Sequence, residues 1–222
     1  MGPPRRLPLF PLGVVLFPGG ELPLHVFEPR YRRMLSDCLA GDRRFGLVYR
    51  PDGIDEHQLA PGHVGCVAQI EEAVPLPDGR SNITVRGQER FALERFVSSD
   101  APYHVGEVAP FEDAAEDAAT LAPLAEEVRG LFTRVARAAR ALGGTGGATP
   151  TLPDDAGRLS FGIASLIDLD GPRRQALLAS RSPGGRLREL ERLLASAVGI
   201  MESRAAVHVR ARQNGRGPSP VA

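Results

Sequence analysis

Residues 64–86 read VGCVAQIEEAVPLPDGRSNITVR. Val64, Cys66, Ala68 and Ile70 recur at every second position, the period of a strand whose alternate side chains share one face. Pro77-Asp78-Gly79 then supplies turn chemistry, because proline presets one backbone angle and glycine accepts the positive one that a reversal needs. Past the turn, Ile83 and Val85 alternate with Asn82, Thr84 and Arg86. The stretch predicts a β-hairpin.

The surrounding sequence repeats this grammar. Residues 7–109 consist of short apolar runs cut by Pro and Gly, and extended pieces are expected at 7–12, 14–17, 22–26, 45–49, 91–97 and 103–108. So many short strands in so little chain favour a closed or nearly closed barrel. One helix interrupts them at about 29–39. Pro29 suits a first helical turn, Tyr31, Met34, Leu35, Cys38 and Leu39 share a face at three- and four-residue spacing, and Gly41 stops it.

The composition changes at Phe111. Residues 112–119 are acidic and alanine-rich, which fits a linker or an opening helical turn. Leu124, Val128, Leu131, Phe132, Val135, Ala139 and Leu142 then mark an amphipathic helix that ends at Gly143-Gly144, before a flexible loop to Pro153. Further helices are expected over 155–169, from Pro172, and from near Gly185, the last burying Leu187, Leu190, Leu194, Ala197, Val198 and Met201. From about Val209 the chain is rich in Arg, Gly and Pro and reads as disordered. The expected class is α+β: a β-barrel at 6–110, a helical bundle at 120–206, and a disordered tail at 207–222.

Composition removes whole classes of function. The chain has 222 residues, 42% hydrophobic and 24% charged, which fits a globular protein with a core of its own. Its 27 basic residues equal its 27 acidic ones, so no net field draws in a polyanion, and nucleic acid is not an expected partner. All 27 of those cations are arginine. The absence of lysine excludes a Ser-Lys protease dyad, a Walker A loop and a pyridoxal Schiff base. Cys38 and Cys66 form neither a CxxC pair nor a disulfide framework, and Pro8, Pro11 and Pro18 interrupt what would be a signal peptide. No apolar run approaches a membrane span, so a cytoplasmic protein without a membrane partner is expected.

The remaining motifs carry little chemistry. Gly143-Gly144-Thr145-Gly146-Gly147 follows a helix and precedes Pro150, whereas a phosphate cradle follows a strand and opens a helix. His25, His57, His63, His104 and His208 are scattered, and His63 with Cys66 gives two ligands where zinc wants three or four. Glu71-Glu72, Glu116-Asp117 and Asp154-Asp155 are adjacent carboxylates, which point apart on a strand. No serine sits in a GxSxG elbow, and Arg210, Arg212 and Arg216 lack interleaved aromatics for nucleic acid. No catalytic residue, metal or cofactor is expected. Residues 27–33 stand out, because Phe27, Glu28, Arg30, Tyr31 and Arg33 combine aromatics and arginines as recognition surfaces do. They also suit a plainer role, with Phe27 and Tyr31 as core anchors and the arginines solvated.

Residues 7–31, LPLFPLGVVLFPGGELPLHVFEPRY, resemble the opening of the Lon protease N-terminal, substrate-binding domain. VGCVAQI at 64–70, LPDGR at 76–80 and ITVRGQERF at 83–91 are similar to its second block, in the same order, and the resemblance spans residues 6–204. It implies a PUA-like β-barrel followed by a helical bundle. It further implies a bacterial, non-catalytic module that binds unfolded or tagged proteins and peptides in protein quality control, as an adaptor or holdase. With neither an ATPase nor a protease module in view, the chain looks like a stand-alone member. The expected docking residues are Phe27, Glu28, Arg30 and Arg33, with both arginines exposed and Tyr31 facing the core. The alternative is a small-molecule or RNA binder acting through the PUA-like barrel.

Overall fold

A computed structural model describes residues 5–142 and 151–214. The glycine loop at 143–147 and the end of the expected tail, 215–222, lie outside the described residues. Six strands run β1 Arg5–Leu12, β2 Glu21–Val26, β3 Arg44–Tyr49, β4 Val64–Pro75, β5 Ser81–Val97 and β6 Val105–Pro110. Helix α1, Pro29–Ala40, separates β2 from β3, and helices α2 Ala118–Ala141, α3 Ala156–Leu166, α4 Gly171–Ala179 and α5 Pro183–Asn214 follow. The class is α+β, as expected.

Residue contacts divide the chain into two compact units. The first comprises residues 1–114 and 164–182, and the second comprises 115–163 and 183–222. Helix α4 therefore belongs with the strands, where the sequence pattern had grouped it with the later helices. Its Gln175 Nε2 donates to the Val64 carbonyl at 2.9 Å, a contact between residues too far apart for any local pattern to reveal.

In the first unit, the sheet order is β2-β5-β4-β3-β1-β6, and β6 pairs again with β5. The pairings β5–β4–β3–β1–β6–β5 thus form a closed ring, with β2 attached as an outer strand. All are antiparallel except β1 with β3, which are joined through α1. One apolar cluster draws on every ring strand: Leu7 and Leu9, Val48, Val67, Phe91 and Leu93, and Val108. A five-stranded ring leaves little room for side chains, and glycines supply it. A Cβ on Gly46 or Gly65 would stand 2.7 or 2.5 Å from Cζ of Phe91, and one on Gly106 would stand 2.7 Å from Leu9.

The other apolar cluster joins Tyr31, Met34, Leu35 and Cys38 of α1 to Phe45, Leu47, Cys66, Ala68, Ile70, Ile83 and Val85. Both faces of β4 are buried from Val64 to Ala68, so its alternation sorts residues between two cores and not between core and water. Two expected strands differ. Residues 83–86 and 91–97 belong to one 17-residue strand, β5, bent by register shifts near Cys66 and Ile70 of its partner and near its own Leu93. Residues 14–17 form no strand: Val15, Leu16 and Phe17 are buried, and the segment leads into a turn that docks on Gly87. There, the Gly19 N–H donates to the Gly87 carbonyl at 2.8 Å and the Gly87 N–H to the Gly20 carbonyl at 2.9 Å.

Arg90 is the buried anchor of this unit. Its guanidinium donates to the carbonyls of Leu178 and Ser180 at 2.6 and 2.7 Å and to Asp113 at 2.5 Å, and it lies over the Phe111 ring.

In the second unit, α2 packs against α5. Val128 and Phe132 are buried on α2, and Leu187, Leu190, Leu194 and Val198 are buried on α5 at helical spacing. Arg186, 1% exposed, stacks on Phe161 at 4.1 Å and donates to Oγ of Ser160 at 2.8 Å. Helix α5 runs on to Asn214, well past residue 207 where the tail was expected to start.

Candidate binding surface

The corner between β2 and α1 forms because Val26 is buried while the residues after it must turn. Glu28 is extended at φ −66° and ψ 136°, and Pro29 opens the helix with no N–H to satisfy. The Arg32 N–H then returns to the Glu28 carbonyl at 2.9 Å. Phe27, on the outside of this turn, is 58% exposed. It is not a core anchor. Its ring stacks on His25 with centroids 6.0 Å apart, and His25 Nδ1 lies 2.7 Å from Oδ1 of Asn82. The same cross-strand row continues from Asn82 to Val74, which is also exposed.

Tyr31 faces the core as expected. Its ring packs on Phe10 with centroids 4.2 Å apart, and its hydroxyl donates to Glu56 at 3.1 Å. Burial, then the neighbouring Glu56 charge, push its pKa well above the usual phenol value.

Arg30 departs from expectation. It is half-buried, and its two terminal nitrogens donate to Oε2 and Oε1 of Glu56 at 2.7 and 2.8 Å, while its Nε donates to Glu28 at 3.0 Å. His104 Nε2 lies 3.0 Å from the same Glu56 carboxylate. Burial alone would raise the Glu56 pKa, but the hydrogen bonds and charge of Arg30 outweigh it and hold the group below the ordinary carboxylate value. Glu56 sits in a short 3-10 turn at Glu56–Gln58, and no local pattern marked it. A cleft of about 650 Å³ opens beside this hub, lined in part by Arg30, Arg50, Tyr103 and His104.

Arg33, like Arg32, is an exposed arginine of the helix. Its Nε donates to Asp37, one turn on, at 2.9 Å, and the side chain stays 67% exposed. Asp37 also accepts from the Tyr103 hydroxyl at 3.0 Å. The Arg33 hydrogen bond, foremost, holds the Asp37 carboxyl below its usual pKa. Arg32 lies over the β4–β5 turn, where its guanidinium fills the space a Gly79 Cβ would need. Of the four expected docking residues, Phe27 and Arg33 face solvent, while Glu28 and Arg30 are tied to each other.

Both cysteines are buried and free. Burial, then Asp42 and Asp37, push the Cys38 thiol up to about 12, and burial raises Cys66 as well, so neither is an activated nucleophile. Among the described residues no group of three or more His, Cys, Asp or Glu side chains is placed to hold a metal ion, and no helix is long and apolar enough to cross a membrane.

A ring of strands with a helix laid over one face, and an exposed aromatic where strand meets helix, make up a small α+β domain. The profile of the ATP-dependent protease La (LON) substrate-binding domain matches residues 6–196, and the chain belongs to that family. Lon protease 2 of Herpetosiphon aurantiacus is 29% identical over 89% of the chain, and Lon protease of Trichlorobacter lovleyi is 29% identical over 95%. The chain spans about a quarter of the length of these relatives, 24% and 26%. Among solved structures, the Lon N-terminal domain protein from Xanthomonas campestris is 29% identical with a TM-score of 0.59, over 84% of this chain and 96% of that one. The N-terminal domain of the Mycobacterium avium complex Lon protease, 17% identical, shares the fold with a TM-score of 0.65 over 86% of this chain and 98% of that one.

Proposed function

We propose that this protein is a substrate-recognition module that captures unfolded or tagged polypeptides at the β2–α1 corner, acting as an adaptor or holdase in protein quality control. Its ring of strands is read as a PUA-like barrel and its later helices as a bundle. The observation that carries this reading is the exposure of Phe27, stacked on His25 at the end of a cross-strand row that runs through Asn82 to the exposed Val74. An aromatic body of that size, held by a rigid corner, buries large area at low entropic cost when a partner covers it. Arg33 adds donors at the rim, and Arg30, locked by Glu56 and Glu28, fixes the corner in place. This reading gives the module no catalysis of its own, so purified protein should turn over neither ATP nor casein.

Fluorescence anisotropy with labelled β-casein, an unfolded polypeptide, tests this. Phe27→Ala should weaken binding roughly 5- to 30-fold, and it should leave the melting temperature near wild type because the ring is exposed. Equal affinity would move the site away from the corner. Absence of casein binding by the wild-type protein would overturn the recognition reading.

A further inference from the structure

β2 is the outermost strand of the sheet, and β5 is the strand that pairs with it. The direction of its backbone groups follows from the register. The Gly87 N–H bonds to the Gly20 carbonyl, one position beyond the Glu21–Arg86 pair. Antiparallel pairs alternate between bonded and non-bonded, so Leu22–Val85 and Leu24–Ile83 exchange hydrogen bonds. Glu21, Pro23 and His25 therefore turn their N–H and C=O groups away from β5. Pro23 fits this assignment, since a proline within a ladder must sit where its missing N–H faces outward. The side chains of these three residues are exposed, and those of Leu22 and Leu24 are half-buried.

The geometry points to strand addition: we propose that β2 captures an extended segment of an unfolded client as a further strand, through the N–H groups of Glu21 and His25 and the carbonyls of Glu21, Pro23 and His25. This rests on the recognition reading above and specifies its mode. Only another extended backbone matches a row of donors and acceptors at strand spacing, and such pairing is indifferent to client sequence. Side chains of the incoming strand would meet Pro23, His25 and Phe27 on one face and the half-buried Leu22 and Leu24 on the other, so apolar segments are favoured. A second copy of this chain is a poorer occupant. An antiparallel β2–β2 pair centred on Pro23 sets proline against proline and loses both central bonds, whereas a client strand loses one.

Amide hydrogen exchange on the whole protein, with and without saturating β-casein, reads the bonds directly. The Glu21 and His25 amides should slow by about tenfold or more in the complex, with the Leu22 and Leu24 amides, already bonded to β5, changing less. Exchange unchanged at Glu21 and His25 while casein is bound overturns strand addition and leaves client binding standing. Failure of casein to bind overturns both. In a second arm, His25→Pro removes one outward donor and His25→Ala keeps it, so the proline variant should bind roughly 2- to 10-fold more weakly than the alanine variant. Equal affinities would overturn the proposal. Should the proline variant not fold, the exchange measurement on the wild-type protein still decides.

Discussion

Arg30 and Glu56, 26 residues apart, meet in a two-pronged ion pair with distances of 2.7 and 2.8 Å. The pair ties α1 to the loop between β3 and β4, and Tyr31 and His104 close around the same carboxylate. Glu56→Gln keeps the shape but leaves the Arg30 guanidinium without its main counter-charge in a half-buried place. Stability should fall by about 1–3 kcal/mol, lowering the melting temperature by roughly 2–4 °C per kcal/mol. A thermal melt of the variant that matches wild type would show the pair to be idle.

Acid should act through the same group. The folded pKa of Glu56 lies below its ordinary 4.5, so ionised Glu56 favours the folded state. That contribution is complete above pH 4.5 and is lost as pH falls through the lower folded value, while Asp37 adds the same sign below its ordinary 3.8. Melting temperatures should drop below pH 4.5, and the drop should be shallower in Glu56→Gln. A variant as acid-sensitive as wild type would assign the effect to other carboxylates.

Gly87→Ala tests the docking of the segment before β2. The new Cβ would stand 2.1 Å from the Phe17 carbonyl oxygen, a backbone atom that yields only if the turn moves. A loss of about 2–4 kcal/mol is expected in denaturant titration. A neutral result would show the turn at residues 17–20 to be readily displaced.

The thiols should be silent in the native state. With Cys38 pushed up to about 12 and Cys66 also raised, neither forms appreciable thiolate at pH 8. Ellman's reagent should label both cysteines promptly in guanidinium and neither in buffer on the same timescale. Fast native labelling would mean that the α1 core opens readily.

Local physics made part of this legible. Tyr31, Met34, Leu35 and Cys38 are buried on α1, as their spacing predicts, whereas Leu39, expected on the same face, is exposed. The hairpin turn is where Pro77-Asp78-Gly79 indicated, with Gly79 at φ 80°. The continuity of β5 was hidden because Gly87 reads as a break. Its glycine answers a close approach by Phe17, about 70 residues earlier in the chain. The exposure of Phe27 was also hidden, since a phenylalanine beside apolar strand residues has the same local signature inside or out. The status of Arg30 depended on Glu56, which no spacing rule connects to it.

The interleaving of the two units sets an order on biosynthesis. When the last strand has left the ribosome, at Pro110, Arg90 has neither the Leu178 nor the Ser180 carbonyl. Asp113 follows within three residues, but the guanidinium completes its hydrogen bonds only when translation passes residue 180, and by then α2 and α3 have already been made. In a nascent chain stalled in that interval, the Arg90 donors that later meet Leu178 and Ser180 still face water, since burying them without those carbonyls would cost several kcal/mol. The first unit therefore completes the buried hydrogen bonding of Arg90 only after most of the second unit's α2 and α3 has been synthesised.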